Sequence, residues 1–121
     1  PSLFQGRLRL PIIGSPMFIC SYPELVTAQC KAGIVGTFPS LNARPVEVLD
    51  QWLGMMTDEL ASYAAAHPGT PVAPFGVNLI VHKSNTRLAE DVALVANHRV
   101  PLIITSVGAP TEIVPAIHSY G

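Results

Sequence analysis

The sequence predicts an α/β fold in which parallel strands alternate with helices, and three observations carry the prediction. Short apolar runs of four to seven residues recur along the 121-residue chain, each ending in a cluster of Gly, Asn, Ser or Thr. A segment with helical periodicity follows each run, so the order is strand then helix, four times over. No Asn-Gly or Asp-Gly pair joins two runs as a tight hairpin would. The composition agrees: 49% hydrophobic against 12% charged suits strands covered on both faces.

Taken in order, residues 1–9 read as a lead-in, a short strand that plugs or covers the sheet. Residues 10–13 (Leu-Pro-Ile-Ile) are too few for a helix, lie between polar residues and Gly14, and read as a buried first strand. A loop over 14–22 leads to Ser21 as cap, with Pro23 and Glu24 where a helix start and its dipole favour them. That helix runs to Ala32, and Gly33 closes it in the left-handed conformation. Strand two is 34–35, extended by Gly36 and Thr37. After a loop over 38–44, Pro45 opens the longest helix. Leu49, Trp52, Leu53, Met56, Leu60, Tyr63 and Ala64 form one stripe along it. Gly54 within it predicts a kink or break, and His67-Pro68-Gly69 ends it. Strand three is 72–78. Ser84 or Asn85 then caps a helix through Asn97 with Leu88, Val92 and Val95 inward. Strand four is 101–105, and a last helix runs over 110–120 from Pro110 and Thr111. Gly121 stands where such a fold would turn into a fifth strand.

Two architectures accommodate this order. An open dinucleotide-binding sheet calls for Gly-x-Gly-x-x-Gly after strand one, but residues 14–19 read Gly-Ser-Pro-Met-Phe-Ile. The barrel is favoured. A full (β/α)8 TIM barrel needs eight units, and four are present, so residues 1–121 read as one partial domain, the N-terminal half of such a barrel. Four strands alone leave two open edges, and the expectation is that the remaining half is needed for stable folding.

The net charge of -1 is spread without runs, which argues against nucleic acid or an anionic membrane surface as partner. No apolar run reaches the ~20 residues of a membrane helix, and residues 1–20 lack the basic-then-apolar order of a secretory leader. A cytoplasmic location follows as the expectation. Cys20 and Cys30 are read as two reduced thiols, and no clustered ligands predict a metal. The oligomeric state stays open, a homo-oligomer included.

Barrel active sites lie at the carboxyl ends of the strands. Here those ends carry backbone amides, hydroxyls, Met17 and the Asn78 carboxamide, with no carboxylate pair and no Ser-His-Asp order. Few charges, many backbone donors and apolar walls suit a planar hydrogen-bonding cofactor such as a flavin.

Four stretches, in this order and spacing, carry a resemblance: Pro-Ile-Ile-Gly-Ser-Pro-Met (11–17), Ala-Gly-Ile-Val-Gly (32–36), Phe-Gly-Val-Asn-Leu (75–79) and Ile-Ile-Thr-Ser (103–106). Together they resemble the nitronate monooxygenase family, formerly the 2-nitropropane dioxygenases, across essentially the whole chain. The flavin-dependent enoyl-acyl-carrier-protein reductases share the first and third stretches and are the alternative. The resemblance implies an FMN-dependent barrel oxidising alkyl nitronates with O2. It implies that Ser15, Pro16 and Met17 lie along the isoalloxazine with a backbone amide near its reactive edge. Asn78 would bond the pyrimidine side, and Thr105 and Ser106 would line the site. Ser15 stands where the family usually has Ala. The family's catalytic His and phosphate loops come from later strands, and are expected beyond Gly121. That leaves the catalytic residue unassigned here and His82 a lesser candidate.

Each assignment has a plainer rival. Pro16-Met17 could be a buried loop, Asn78 a turn former, and Thr105 and Ser106 helix caps. His82 could be an exposed loop residue, as His67, His98 and His118 at helix ends require no chemistry. Trp52, Met55 and Met56 read as packing. A flavin-free barrel fragment serving as a structural or binding module is the competing function.

Overall fold

A computed structural model describes residues 2–121. Pro1 lies outside the described residues. Three parallel strands form one sheet in the order β1 (Gly36–Pro39), β2 (Phe75–Ile80), β3 (Leu102–Ser106). Four helices accompany them, α1 (Pro23–Lys31) before β1, α2 (Val46–Ala66) and α3 (Leu88–Asn97) between the strands, and the short α4 (Val114–His118) after β3. Gly36 pairs with Phe75 and Pro39 with Asn78; Asn78 pairs in turn with Ile104, and Ile80 with Ser106.

The predicted first strand is the main departure. Residues 10–13 touch the sheet at a single parallel bridge, Ile13 to Val35, with Val35 N–H donating to Ile12 O (3.0 Å) and Gly14 N–H to Val35 O (2.7 Å). It is not buried either: Leu10, Ile12 and Ile13 are about half exposed. Pro11 brings no N–H to a ladder, and no described residue pairs along the segment's outer side. The lead-in forms no strand. Ser2–Phe4 is a 3-10 turn, and Arg9 N–H donates to Gly33 O (2.8 Å).

Strand two begins later than the apolar pattern suggests. Ile34 N–H bonds back to Gln29 O to close α1, so the strand starts at Gly36 and takes in Phe38, which is fully buried. Gly36 is the point of closest approach: a Cβ there would run into the Val26 carbonyl of α1. Strand three starts at Phe75, after Pro71 and Pro74, and runs past Asn78 to Ile80. Strand four is shifted by one residue.

α2 is continuous through Gly54, whose missing side chain faces the His98 ring at the end of α3. Its stripe of Leu49, Leu53, Met56 and Leu60 buries against Phe38, Phe75, Val77 and Leu79. Trp52 sits edge-on between Tyr22 and Phe38, with ring centroids at 5.4 and 5.8 Å. Tyr63 and Ala64 lie outside this core. α4 starts later than expected: Pro115 has no N–H to donate to the Thr111 carbonyl, so it is accommodated in the first turn of a helix that begins at Val114. After α4 the chain bends back at Gly121, where the N–H donates to His118 O (3.3 Å) and φ is 109°. No helix among the described residues is long and apolar enough to cross a membrane.

Candidate functional site

Parallel pairing puts opposite residues on the same sheet face, and the pleat alternates faces along each strand. Phe38 and Val77 are register mates, both wholly buried under α2, and Ile103 continues the row. The other face carries Thr37, Asn78, Ile104 and Ser106. At its carboxyl end the polar groups gather.

Asn78 is 6% exposed. Its Nδ2 donates to Ser106 Oγ (3.1 Å) and to Ile104 O (3.2 Å). Both amide hydrogens are therefore used inside the protein. Oδ1 has only the Ser106 hydroxyl at 3.5 Å, so it keeps accepting capacity.

The loop over 14–18 is tied to the same end of the sheet by side chains. Thr37 Oγ1 donates to Gly14 O. Met17 N–H donates to Ser21 Oγ (2.9 Å), while Asn42 Nδ2 donates to Met17 O (3.1 Å) and Ser21 O (2.9 Å). Ser21 thus turns back to the loop instead of capping α1, whose N-cap is Tyr22. The Met17 amide is already satisfied, which withdraws it as a donor to a bound ring. The Ser15 N–H makes no hydrogen bond among the described residues. Met17 and Phe18 remain nearly half exposed beside it.

Backbone strain marks the same end. Ile19 (φ 70°) and Val107 (φ 75°) are β-branched residues in the left-handed region, one in each of the loops that follow residues 10–13 and β3. Both are largely exposed. Sequence reasoning missed Thr37, Ser21 and Asn42. The hydroxyl in Gly36-Thr37 and an Asn just beyond the end of a strand were the signals available.

Thr105 does not join this group. It is the register mate of wholly buried Leu79, which puts it on the helix-covered face, opposite Asn78 and Ser106. His82 is exposed, and its Nδ1 accepts the Ser84 N–H (3.2 Å) beside the Ser84 hydroxyl (2.7 Å), a local turn. With Lys83 and Glu112 it rims a cleft of about 1000 Å³ between α3 and α4, floored by Leu88 and Val92. Gly121 is exposed and joins none of the hydrogen bonds of the polar cluster.

Behind the site lies a buried polar trio. Asp91 of α3 is 0% exposed; it accepts Ser40 Oγ (2.6 Å) and Arg87 Nη2 (2.8 Å), and Arg87 Nη1 donates to Ala43 O (2.6 Å). These bonds pin the turn after β1, which carries Asn42, to α3. The sequence pattern placed Leu88, Val92 and Val95 inward but gave no sign of Asp91. Cys30 is buried under β1, and burial pushes its thiol up from 9.0 to about 11 despite a Gly36 backbone hydrogen bond and Arg7. Cys20 is exposed, and neither thiol is in a disulfide. No group of three metal-type ligands occurs among the described residues.

No family model matches the sequence, and no curated protein matches it significantly. Among solved structures the chain is similar to FabK from Thermotoga maritima, with a TM-score of 0.76 at 22% identity over 99% of this chain. A point variant of the same FabK matches with a TM-score of 0.73 at 20% identity. The chain spans about a third of the length of these structures, 33% and 35%. The likeness establishes the architecture: an α/β unit with three parallel strands that superposes on part of a TIM-barrel protein.

Proposed function

We propose that this chain is part of an FMN-dependent barrel oxidoreductase whose cofactor lies against the carboxyl ends of its strands. The observation that carries the reading is the convergence of the 14–18 loop, Thr37 and the Asn78–Ser106 pair at one end of one sheet face. The groups there suit a flat, hydrogen-bonding ring. Asn78 Oδ1 is free to accept an imide N–H, and Ser15 N–H is free to donate. Pro16, Met17 and Phe18 offer apolar contact. Thr105 is not needed for this cradle.

Bound FMN would supply electron or hydride transfer at its central ring. The chain's own residues would orient the ring through Asn78 and Ser15 and exclude water with Met17 and Phe18. Burying the ring among backbone dipoles would favour negative charge on it after reduction. No residue here is assigned a proton-transfer role. The remaining barrel strands would supply that residue, the phosphate contacts and the second half of the pocket, making 1–121 one part of a single domain.

Two substrates follow from the two resemblances. Reduction of an enoyl thioester is favoured, because the FabK likeness covers nearly the whole chain and FabK is a flavin-dependent enoyl-acyl-carrier-protein reductase. Oxidation of an alkyl nitronate with O2 is the second reading, resting on the four sequence stretches. Purified full-length protein should show the visible flavin bands. Bleaching by NAD(P)H, with recovery on adding a 2-enoyl thioester, supports the reductase. Oxygen uptake with an alkyl nitronate and no pyridine nucleotide supports the monooxygenase. Colourless protein that does not take up added FMN overturns both and leaves a structural or binding module.

A further inference from the structure

At the opposite end of the sheet, by the amino ends of β2 and β3, a cleft of about 470 Å³ opens between α2 and the 98–101 turn. Its apolar lining includes Leu60, Ala61, Val72 and Phe75. Every charged residue lining it is basic: Arg7 and Arg99, with His98 between α2 and α3. His98 is occupied, its Nε2 2.6 Å from Asp50 Oδ1. Neither arginine side chain makes a hydrogen bond or ion pair among the described residues, as is also true of Arg9 and Lys83, while Lys31, Arg44 and Arg87 are engaged.

A comparison within the molecule singles out Arg99. α1 and α3 end in the same motif. After α1, Gly33 N–H donates to Cys30 O (3.1 Å) and Ile34 N–H to Gln29 O (3.1 Å). After α3, Arg99 N–H donates to Ala96 O (3.0 Å) and Val100 N–H to Val95 O (2.9 Å). This is the paired closure that demands a left-handed residue, ordinarily glycine. Gly33 supplies it at φ 86°, while Arg99 adopts φ 50° with a full side chain. Helix closure alone would favour glycine at 99; Arg99 instead places a full side chain at the rim of the cleft.

We propose that this cleft binds an amphipathic monocarboxylate, its alkyl chain along Leu60, Ala61, Val72 and Phe75 and its carboxylate between Arg7 and Arg99. A guanidinium presents paired N–H donors to a carboxylate, and an apolar floor rewards burial of a chain. The site does not depend on the flavin reading, since it lies at the other end of the strands.

Calorimetric titration of the full-length protein with dodecanoate, dodecanol and inorganic phosphate tests it. Dodecanoate should bind at one site, with the alcohol and phosphate each weaker by about tenfold or more. Arg99→Gly should weaken dodecanoate by about tenfold while the melting temperature holds or rises, because glycine relaxes the turn. Arg7→Gln should weaken it similarly. Ala61→Phe, a change at an exposed position, should block the chain's path. Flavin content should be unchanged in all three. Failure of dodecanoate to bind, equal binding of the alcohol, or binding indifferent to both arginine variants would overturn the proposal.

Discussion

Asn78 and Ser106 join adjacent strands by side chain as well as by backbone. The Asn78 amide reaches across the β2–β3 pair to the Ser106 hydroxyl at 3.1 Å, on the face the helices leave uncovered. The carboxamide spends both hydrogens on the neighbouring strand and leaves its oxygen under-used. That asymmetry motivates the first prediction. Asn78→Ala should lower stability by about 1–2 kcal/mol by removing its bonds to Ser106 Oγ and Ile104 O, and should reduce FMN per protein. Ser106→Ala should cost less stability and lower flavin content less than Asn78→Ala does. Denaturant melts and flavin absorbance measure the two effects; flavin content unchanged in Asn78→Ala would remove that residue from the cradle.

Asn42 holds the 14–18 loop through two carbonyls, Met17 O and Ser21 O. Asn42→Ala should speed amide exchange in the loop and loosen FMN while leaving the global melt nearly unchanged. Hydrogen exchange by mass spectrometry reports this directly. A loop as protected as in the parent protein would contradict the tethering role.

Asp91 is fully buried between Arg87 and Ser40. Asp91→Ala removes one partner of a buried ion pair, a change that typically costs about 3–5 kcal/mol. With Arg87 retaining 20% side-chain exposure, the lower end is expected here. Asp91→Asn keeps the Ser40 bond and should be milder. Urea midpoints of the two variants should separate in that order.

Gly36→Ala drives a methyl into the Val26 carbonyl, which is backbone and cannot rotate away. A loss of about 1–3 kcal/mol is expected from forcing α1 off β1. Gly54→Ala is the contrast, since its new Cβ would stand 3.8 Å from His98 Cε1 and helix propensity improves by about 1 kcal/mol. Thermal melts of the two should move in opposite directions.

The Cys30 thiol, raised from 9.0 to about 11 by burial, stays protonated in the fold at pH values where the unfolded chain ionises. The native state therefore holds the extra proton, and stability from this group falls as pH rises from 9 towards 11. Cys30→Ala should flatten that stretch of the stability–pH curve. In the native protein, exposed Cys20 should react with a thiol reagent well before Cys30.

The strand–helix alternation was readable because each strand is a compact apolar run and each helix carries a 3.6-residue stripe. Leu49, Leu53, Met56 and Leu60 are all buried as the stripe implies. What failed has local causes. Residues 10–13 look like a buried strand by composition, but pairing depends on a neighbour that the sequence does not announce, and Pro11 weakens what pairing there is. Thr105 and Ser106 came together from the resemblance, yet neighbours on a strand face opposite ways, and which of them shares the Asn78 face depends on a register that the sequence does not announce. Asp91 was invisible, because an acid at a helical core position is buried only if Arg87 and Ser40 meet it. Of the site, Asn78 and Ser106 stand together as their positions at strand ends suggested. Ser21 looked like a helix cap and serves the loop.

The contact between Thr37 and Gly14 has a dynamic corollary. Past Ile13 the rungs of the ladder give way to fastenings made by a hydroxyl and a carboxamide. Ladder rungs open together as a cooperative unit, whereas individual latches release singly, on the fast clock of rotamer hops. The segment bearing Ser15, Pro16 and Met17 is thus fastened so that it can open without unzipping the sheet.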